Sequence, residues 1–385
     1  MNRRYGFYEF FAGGGMARLG LGKRWKCLMA NDICSKKAES YLRNFPGTPD
    51  FIADDIRNID IEQLPGHATL SWASFPCQDL SLAGSRRGLN GNRSSTFWPF
   101  WSLMQKLKSQ GRPVPIIVLE NVVGAISSND GRDFLALFNE ITGSGYKFGP
   151  LVMDASFFVP QSRPRLFIIA VHDEINIPEN LKSLFPVDIW HTKGLVKARE
   201  RLSSELKNKW VWWNLPVPQK RKMHLDDIIE MAPDGVEWRT EQETRKLLSL
   251  MTDTNLMKVN KAQLKKKRVL GTIYKRTRKD GNGIKRQRAE VRFDRTSGCL
   301  RTPAGGSSRQ IIIMVEGEDI KTRLLSPREA ARLMGVYDNY ILPPGYNEAY
   351  HLMGDGLVVP VIEWLDKNIL HPIAQMTSEP VEIVS

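Results

Sequence analysis

The sequence predicts an α/β protein: one large domain on an open, mostly parallel sheet, and a smaller second domain. Three observations predict it. Tyr5-Gly6-Phe7-Tyr8-Glu9-Phe10-Phe11 reads as an aromatic-rich strand that runs into Ala12-Gly13-Gly14-Gly15 and then into helix-forming residues from Met16 to Leu21. Strand, glycine loop and helix make the first unit of a nucleotide-type site: glycines let the backbone approach a ligand, and the helix N-terminus offers free N–H groups. Pro115-Ile116-Ile117-Val118-Leu119 is continuously apolar, as expected of a strand covered on both faces. A chain of 385 residues can bury one large core and a smaller one.

The elements follow in order. A strand from Trp25 to Ala30 ends in Asn31-Asp32-Ile33, at the offset where an acid can accept hydrogen bonds from ribose hydroxyls. Asp32 also suits a helix N-cap before Ser35-Lys36-Lys37-Ala38. The dinucleotide fingerprint is incomplete, since Arg18 or Leu19 stands where its third glycine belongs. Ala68 to Ser74 reads as a short strand stopped by Pro76, which has no N–H to donate. Cys77 therefore leaves a strand end on a stiff turn, where ligand sites of open α/β sheets lie. Gln78, Asp79 and Ser81 keep its surroundings polar. A thiol there suits a thiolate nucleophile or a structural cysteine.

The apolar run at 115–119 ends in Glu120-Asn121-Val122. A carboxyl group just past a buried strand end is a candidate proton donor, because burial favours its neutral form. Arg165 to Val171 reads as another strand, preceded by Gln161-Ser162-Arg163-Pro164-Arg165. Arginines at alternating positions of an extended segment point the same way. Arg163 and Arg165 could clamp a phosphate, hold a carboxylate or simply face water.

Taken together, these segments resemble the DNA (cytosine-5)-methyltransferase family, in the family's own order. Phe11-Ala12-Gly13-Gly14-Gly15 is similar to its cofactor loop, Asn31-Asp32 to its ribose-binding segment, and Asp54-Asp55-Ile56 to the segment that reads the adenine. Phe75-Pro76-Cys77-Gln78 matches the nucleophile motif, Glu120-Asn121-Val122 the acid motif, and Gln161-x-Arg163-x-Arg165 the arginine motif. The run from Arg323 to Gly335 resembles a late helix. The match covers about residues 5–172 and 290–365. In one place the chain departs from the pattern: Gly354-Asp355-Gly356-Leu357 stands where the family reads Gly-Asn-Ser/Ala-Val. An ionised Asp accepts hydrogen bonds but donates none.

The resemblance implies a Rossmann-like, S-adenosylmethionine-dependent methyltransferase domain with a smaller inserted target-recognition domain. The expected division is residues 1–172 for the catalytic and cofactor-binding part, 173–309 for target recognition, and 310–385 for the return to the catalytic domain. Cys77, Glu120, Arg163 and Arg165 are the implied catalytic residues. Phe11, Gly13, Gly15, Met16, Asp32, Ile33, Asp55, Ile56, Pro76 and Asp355 are the implied cofactor contacts, and no metal is needed. The chemistry implied is attack of the Cys77 thiolate on carbon 6 of cytosine, with Glu120 serving ring nitrogen 3. Carbon 6 is inaccessible in stacked DNA, so the base must be flipped out. The expected substrate is double-stranded DNA, and the setting a bacterial restriction–modification system with a cognate endonuclease. The expected enzyme is a monomer with no membrane association. Two alternatives stand beside it: a tRNA cytosine methyltransferase and a catalytically silent DNA-binding paralogue.

Composition agrees. The four cysteines, Cys27, Cys34, Cys77 and Cys299, form no CxxC and no HExxH occurs, which argues against a zinc ribbon or a zincin. A required free thiol points to a reducing cytoplasm. No apolar stretch is long enough for a signal peptide or a bilayer span. The net charge is +13, and nearly all of it sits between Lys258 and Arg288, where 13 Lys and Arg meet one acid, Asp280. Val269–Tyr274 and Ala289–Phe293 have strand character around Asp280-Gly281-Asn282-Gly283, which predicts a basic hairpin suited to a phosphate track and groove. Arg276, Arg278, Arg286 and Arg288 are the candidate base readers. Asp226–Ile229 and Thr240–Leu250 are expected helices, Trp210-Val211-Trp212-Trp213 is expected to pack the small domain against the large one, and Ser326-Pro327-Arg328-Glu329 reads as a capping box.

Overall fold

The computed structural model describes residues 4–48, 51–76, 96–279, 281, 283–302 and 309–377. The chain divides into two compact units. The first takes in Met1–Met153, Pro164–Val217 and Val361–Ser385, the second Asp154–Arg163 and Pro218–Pro360.

The first unit is built on a seven-stranded sheet of β1 (Tyr5–Phe10), β2 (Trp25–Asn31), β3 (Phe51–Ile52), β4 (Leu70–Ala73), β5 (Ile116–Val122), β6 (Tyr146–Asp154) and β7 (Pro164–His172), in the order β3-β2-β1-β4-β5-β7-β6. Strands β1 to β5 run parallel to their neighbours, and β7 is antiparallel to β5. Every residue of β1 and of β4 is buried, because helices cover both faces of such a sheet. The helices are α1 (Met16–Leu21), α2 (Ser35–Asn44), α3 (Phe97–Ser109), α4 (Arg132–Gly143), α5 (Lys193–Glu200) and α6 (Ser204–Lys209). The topological switch lies between β1 and β4, where chain order reverses, and the carboxyl ends of the strands there are the expected ligand crevice.

The aromatic run 210–213 packs inside this unit. Trp210 meets Phe138 and Phe148 edge-on, with ring centroids 5.6 and 5.7 Å apart. Trp212 and Trp213 form β9, paired with β8 (Lys182–Ser183), and Trp213 donates to the Gly149 carbonyl at 2.8 Å. Residues 173–217 thus belong with the sheet, not with the smaller unit as the sequence suggested. The C-terminal helix Val359–Leu365 continues through a turn in which Asp366 accepts from Trp25 Nε1 at 2.7 Å. That bond ties the chain end to β2.

The second unit holds α7 (Glu241–Leu248), α8 (Asp253–Gln263) and four antiparallel strands, β10 (Val269–Lys279), β11 (Lys285–Arg292), β12 (Ile311–Glu316) and β13 (Asp319–Leu324), in the order β11-β10-β12-β13. Its core joins Leu247, Met251 and Val259 to Ile273, Ala289, Val291 and Ile313. Residues 310–324, expected with the catalytic domain, supply half of this sheet. The reason is pairing of β12 with β10 across some forty residues of sequence, which local pattern does not encode. α9 (Pro327–Leu333) starts at a capping box in which Ser326 and Glu329 exchange hydrogen bonds, with Pro327 at its first position. Glu329 also forms a fully buried ion pair with Arg323 at 2.6 Å. α10 (Tyr346–Asp355) follows. The segment 226–229 forms one short 3-10 turn, Leu225–Asp227, in place of the expected helix.

Candidate functional site

Three loops at the carboxyl ends of β1, β2 and β3 carry most of the cofactor residues read from sequence, and each is shaped by hydrogen bonds within the first unit. After β1 the chain turns sharply: Phe11 has φ +56°, a left-handed conformation that is uncommon for a bulky residue and marks local strain. Gly13 (φ +56°) and Gly15 (φ +79°) continue the turn. They differ in surroundings. A Cβ on Gly15 would fall 2.3 Å from Phe45 Cε2, whereas one on Gly13 would meet nothing within 4 Å. Gly15 is therefore glycine because α2 crowds it, and Gly13 leaves open space beside the backbone. Met16, buried, begins α1.

Asp32 welds this loop to the next. Its Oδ2 accepts from Gly13 N and its Oδ1 from Cys34 N, both at 2.9 Å. The helix N-cap is Cys34, not Asp32. Beside it Ile33 is 67% exposed, an apolar side chain held in water at a strand end. Asn31 Nδ2 donates to the Ile52 and Asp54 carbonyls at 2.9 and 2.8 Å, which fastens the third loop. There Asp55 caps a short turn and accepts from Arg57 Nε at 2.9 Å. The Arg57 guanidinium holds its carboxyl below the usual range, while Ile56 is buried.

Glu9 was missed from sequence. It sits mid-strand in β1, 1% exposed, accepting from Tyr41 Oη at 2.9 Å and from Arg18 N at 3.3 Å. Burial pushes its carboxyl up to about 7. An acid between aromatics in an otherwise apolar strand was the available signal. It anchors α1, and with it the glycine loop.

A second group of residues lies on β5 and β7 and just after β4. Glu120 is not past the end of β5 but inside it, opposite Phe167 of β7, and 8% exposed. Arg165 of β7 reaches it, Nε to Oε1 at 3.2 Å. Next to it the buried Asn121 Nδ2 donates to the Phe75 carbonyl at 3.0 Å. This bond pins the segment Phe75-Pro76, which leads into Cys77, alongside the Glu120–Arg165 pair. Pro76 is exposed; Cys77 itself lies outside the described residues.

Two residues part from this group. Arg163 belongs to the second unit and is 3% exposed. Its Nη1 donates to the Leu300 carbonyl at 2.7 Å, and its Nη2 to the carbonyls of Gly354 and Gly356 at 2.9 and 2.8 Å. The two arginines do not form one clamp: Arg165 pairs with an acid and Arg163 braces backbone. Asp355 is exposed at the end of α10, also in the second unit, where Thr302 Oγ1 donates to its Oδ1. Among the described residues no cluster of His, Cys, Asp and Glu could hold a metal ion, and no helix is long and apolar enough to cross a membrane.

Comparison with known proteins adds to this geometry. The profile of the family described as C-5 cytosine-specific DNA methylase matches residues 5–371. The type II methyltransferase M.HhaI of Haemophilus parahaemolyticus is 26% identical over 366 residues, covering 94% of this chain and 93% of its own. M.Bsp6I of a Bacillus strain is likewise 26% identical, over 94% of this chain and 97% of its own. Among solved structures, S. pombe Dnmt2 methyltransferase superposes with a TM-score of 0.58 at 18% identity, covering 94% of this chain and 97% of that one.

Proposed function

Since the chain belongs to the C-5 cytosine-specific DNA methylase family and is thereby a DNA (cytosine-5)-methyltransferase, we propose that it methylates carbon 5 of a flipped-out cytosine within a specific short duplex sequence. We place it in a restriction–modification setting, as its type II relatives are named. The observation that carries the catalytic reading is the Asn121–Phe75 hydrogen bond, which sets the approach to Cys77 beside the Glu120–Arg165 pair.

The loops fit S-adenosylmethionine in kind. Open space at Gly13 admits a ligand against backbone, Asp32 and Asp55 offer acceptors for hydroxyl and amino groups, and exposed Ile33 offers an apolar face to an aromatic base. Phe11, Gly15, Met16, Ile56 and Pro76 complete the proposed contacts. When bound, the cofactor supplies the electrophilic sulfonium methyl that carbon 5 takes up.

The chain's own residues then do the following. The Cys77 thiolate adds to carbon 6, which breaks the ring's aromaticity and makes carbon 5 enamine-like. Glu120 gives a hydrogen bond or proton to ring nitrogen 3, so that negative charge does not build up there. Arg165 holds the Glu120 carboxyl group in place. After a base has removed the carbon 5 proton, the carbon 6–sulfur bond breaks and the thiolate leaves, restoring the aromatic ring.

The test is expression from a plasmid followed by bisulfite sequencing of that plasmid. Methylated cytosines confined to one short sequence are expected. Purified protein that methylates tRNA and leaves duplex DNA unmodified would overturn the DNA reading.

A further inference from the structure

The basic hairpin has a structure that its sequence alone did not reveal. Strands β10 and β11 pair Arg276 with Arg288, Thr277 with Gln287, Arg278 with Arg286 and Lys279 with Lys285. Residues directly opposite one another share a face of the ribbon, and alternate residues change face. One face therefore carries Tyr274, Glu290 and five arginines: 276, 278, 286 and 288 along its length, and at its root Arg292, which pairs with Asp294. The other carries Ile273, Val291 and Ala289 at its root, all buried in the core of the second unit. Further out that same face holds Lys275, Thr277, Gln287, Lys279 and Lys285. Arginine and lysine are sorted onto opposite faces.

Three of the four outer pairs set like charges directly opposite, an arrangement that destabilises a ribbon on its own. Outer residues from Arg276 to Lys279 and from Lys285 to Gln287 are exposed. Such an arrangement suits a polyanion. The two faces also differ in what they can recognise: a guanidinium donates two parallel bonds that match O6 and N7 of guanine, while an ammonium is a point charge suited to phosphate. The extended stretch from Lys275 to Lys279 rises roughly 14 Å, and a two-stranded ribbon fits a major groove about 12 Å wide.

The arginine face is ordered in advance at its root. Glu290 Oε1 accepts from Arg278 Nε at 2.9 Å, and its Oε2 lies 3.6 Å from Arg276 Nε. The Arg276 guanidinium lies 5.0 Å from the centre of the Tyr274 ring. One acid thus orients two arginines, with Arg278 Nη2 also 2.9 Å from its Oε1.

We propose that this ribbon enters the major groove of the substrate with its arginine face toward the base edges, that the lysines of the other face reach the phosphates of the groove walls, and that Glu290 is a positioning residue for base reading by Arg276 and Arg278. The recognised sequence then contains at least one guanine besides the partner of the methylated cytosine. This inference rests on the duplex-DNA reading above.

The experiment is methylation of a randomised-site duplex library, read by bisulfite sequencing. It compares wild type with Arg276→Ala, Arg278→Ala, Arg286→Ala, Arg288→Ala, Glu290→Gln and the triple Lys275→Gln, Lys279→Gln, Lys285→Gln. All these positions lie outside the buried root of the ribbon or keep their shape, and Arg→Lys versions retain charge while losing the bidentate fork. Loss of a reading arginine relaxes preference at one G·C pair roughly 10-fold or more. Glu290→Gln relaxes the same pair as Arg276→Ala or Arg278→Ala without weakening binding to unrelated duplexes, which a merely structural acid would not do. The lysine triple weakens all duplexes alike and flattens the salt dependence by up to about three units of slope. Wild-type site preference in all four arginine variants, with methylation intact, overturns this inference alone. Wild-type protein that methylates no duplex overturns the duplex reading and this inference with it.

Discussion

The two halves of the machinery are built on opposite principles. In and just beyond the strands of the first unit, ionisable groups are buried and each is fastened: Glu120 to Arg165, Asp32 to two backbone amides, Glu9 to Tyr41 and the start of α1. In the β10–β11 ribbon, charged groups are exposed and many face their own kind. Bond rearrangement requires groups held within tenths of an ångström, and burial with complete hydrogen bonding supplies that. Recognition of a polyanion requires surplus charge that only the partner neutralises. The difference teaches that substitutions in the first region should change rate and stability, and those in the second should change where the enzyme acts.

Breaking the first region should give the larger effects. Glu120→Gln keeps shape and can still donate to nitrogen 3 but cannot transfer a proton. A loss in methylation rate on the order of 10²–10⁴-fold is expected, with much smaller change in cofactor affinity; single-turnover assays measure it, and a near-wild-type rate would reduce Glu120 to scaffolding.

Glu9 sharpens the comparison through stability. Its buried carboxyl titrates near 7, above the ordinary value, so it stays protonated in the folded protein where the unfolded chain has already ionised. The folded state is therefore favoured fully below about pH 4.5 and loses that advantage as pH rises to about 7, by on the order of 3 kcal/mol. Glu9→Gln removes this dependence, so its melting temperature should gain on wild type between pH 5 and pH 8. Parallel melting curves across that range would contradict the assignment.

Arg165→Ala removes the ion pair on Glu120, and roughly 10²-fold in rate should go with it, with site preference unchanged in the library assay. A shift in preference instead would mean that Arg165 reads bases. Smaller again is Gly15→Ala, where the new methyl meets Phe45 and the backbone stays left-handed. About 2 kcal/mol of stability should be lost, visible in denaturant unfolding. Gly13→Ala strains a left-handed backbone too but meets no neighbour, so it should cost less stability than Gly15→Ala and also weaken cofactor binding.

What could be read from the sequence was local. The glycine loop after β1, the capping box at Ser326 and the basic hairpin are each encoded by a few adjacent residues, and all three appear in the structure. Long-range pairing was hidden. Nothing near Ile311–Glu316 says that it pairs with β10, so that segment was assigned to the wrong part of the chain. Arg163 and Arg165 look equivalent two residues apart, yet one braces carbonyls in the second unit and the other pairs with Glu120. Glu9 escaped notice because every position of β1 is buried and the strand shows no alternation to betray an inward-facing acid. The arginine and lysine sorting of the ribbon depends on register, which the strand boundaries read from sequence were too short to give.

The claim at the centre is that Cys77, two residues after the Phe75 carbonyl that Asn121 holds, is the nucleophile. A duplex carrying 5-fluorocytosine at the target cytosine measures it most directly, because fluorine blocks the final elimination. The account predicts a covalent, cofactor-dependent protein–DNA adduct whose peptide map places the link on Cys77, and no adduct with Cys77→Ala although that variant still binds duplex. An adduct on Cys27, Cys34 or Cys299, or one that persists in Cys77→Ala, would contradict it.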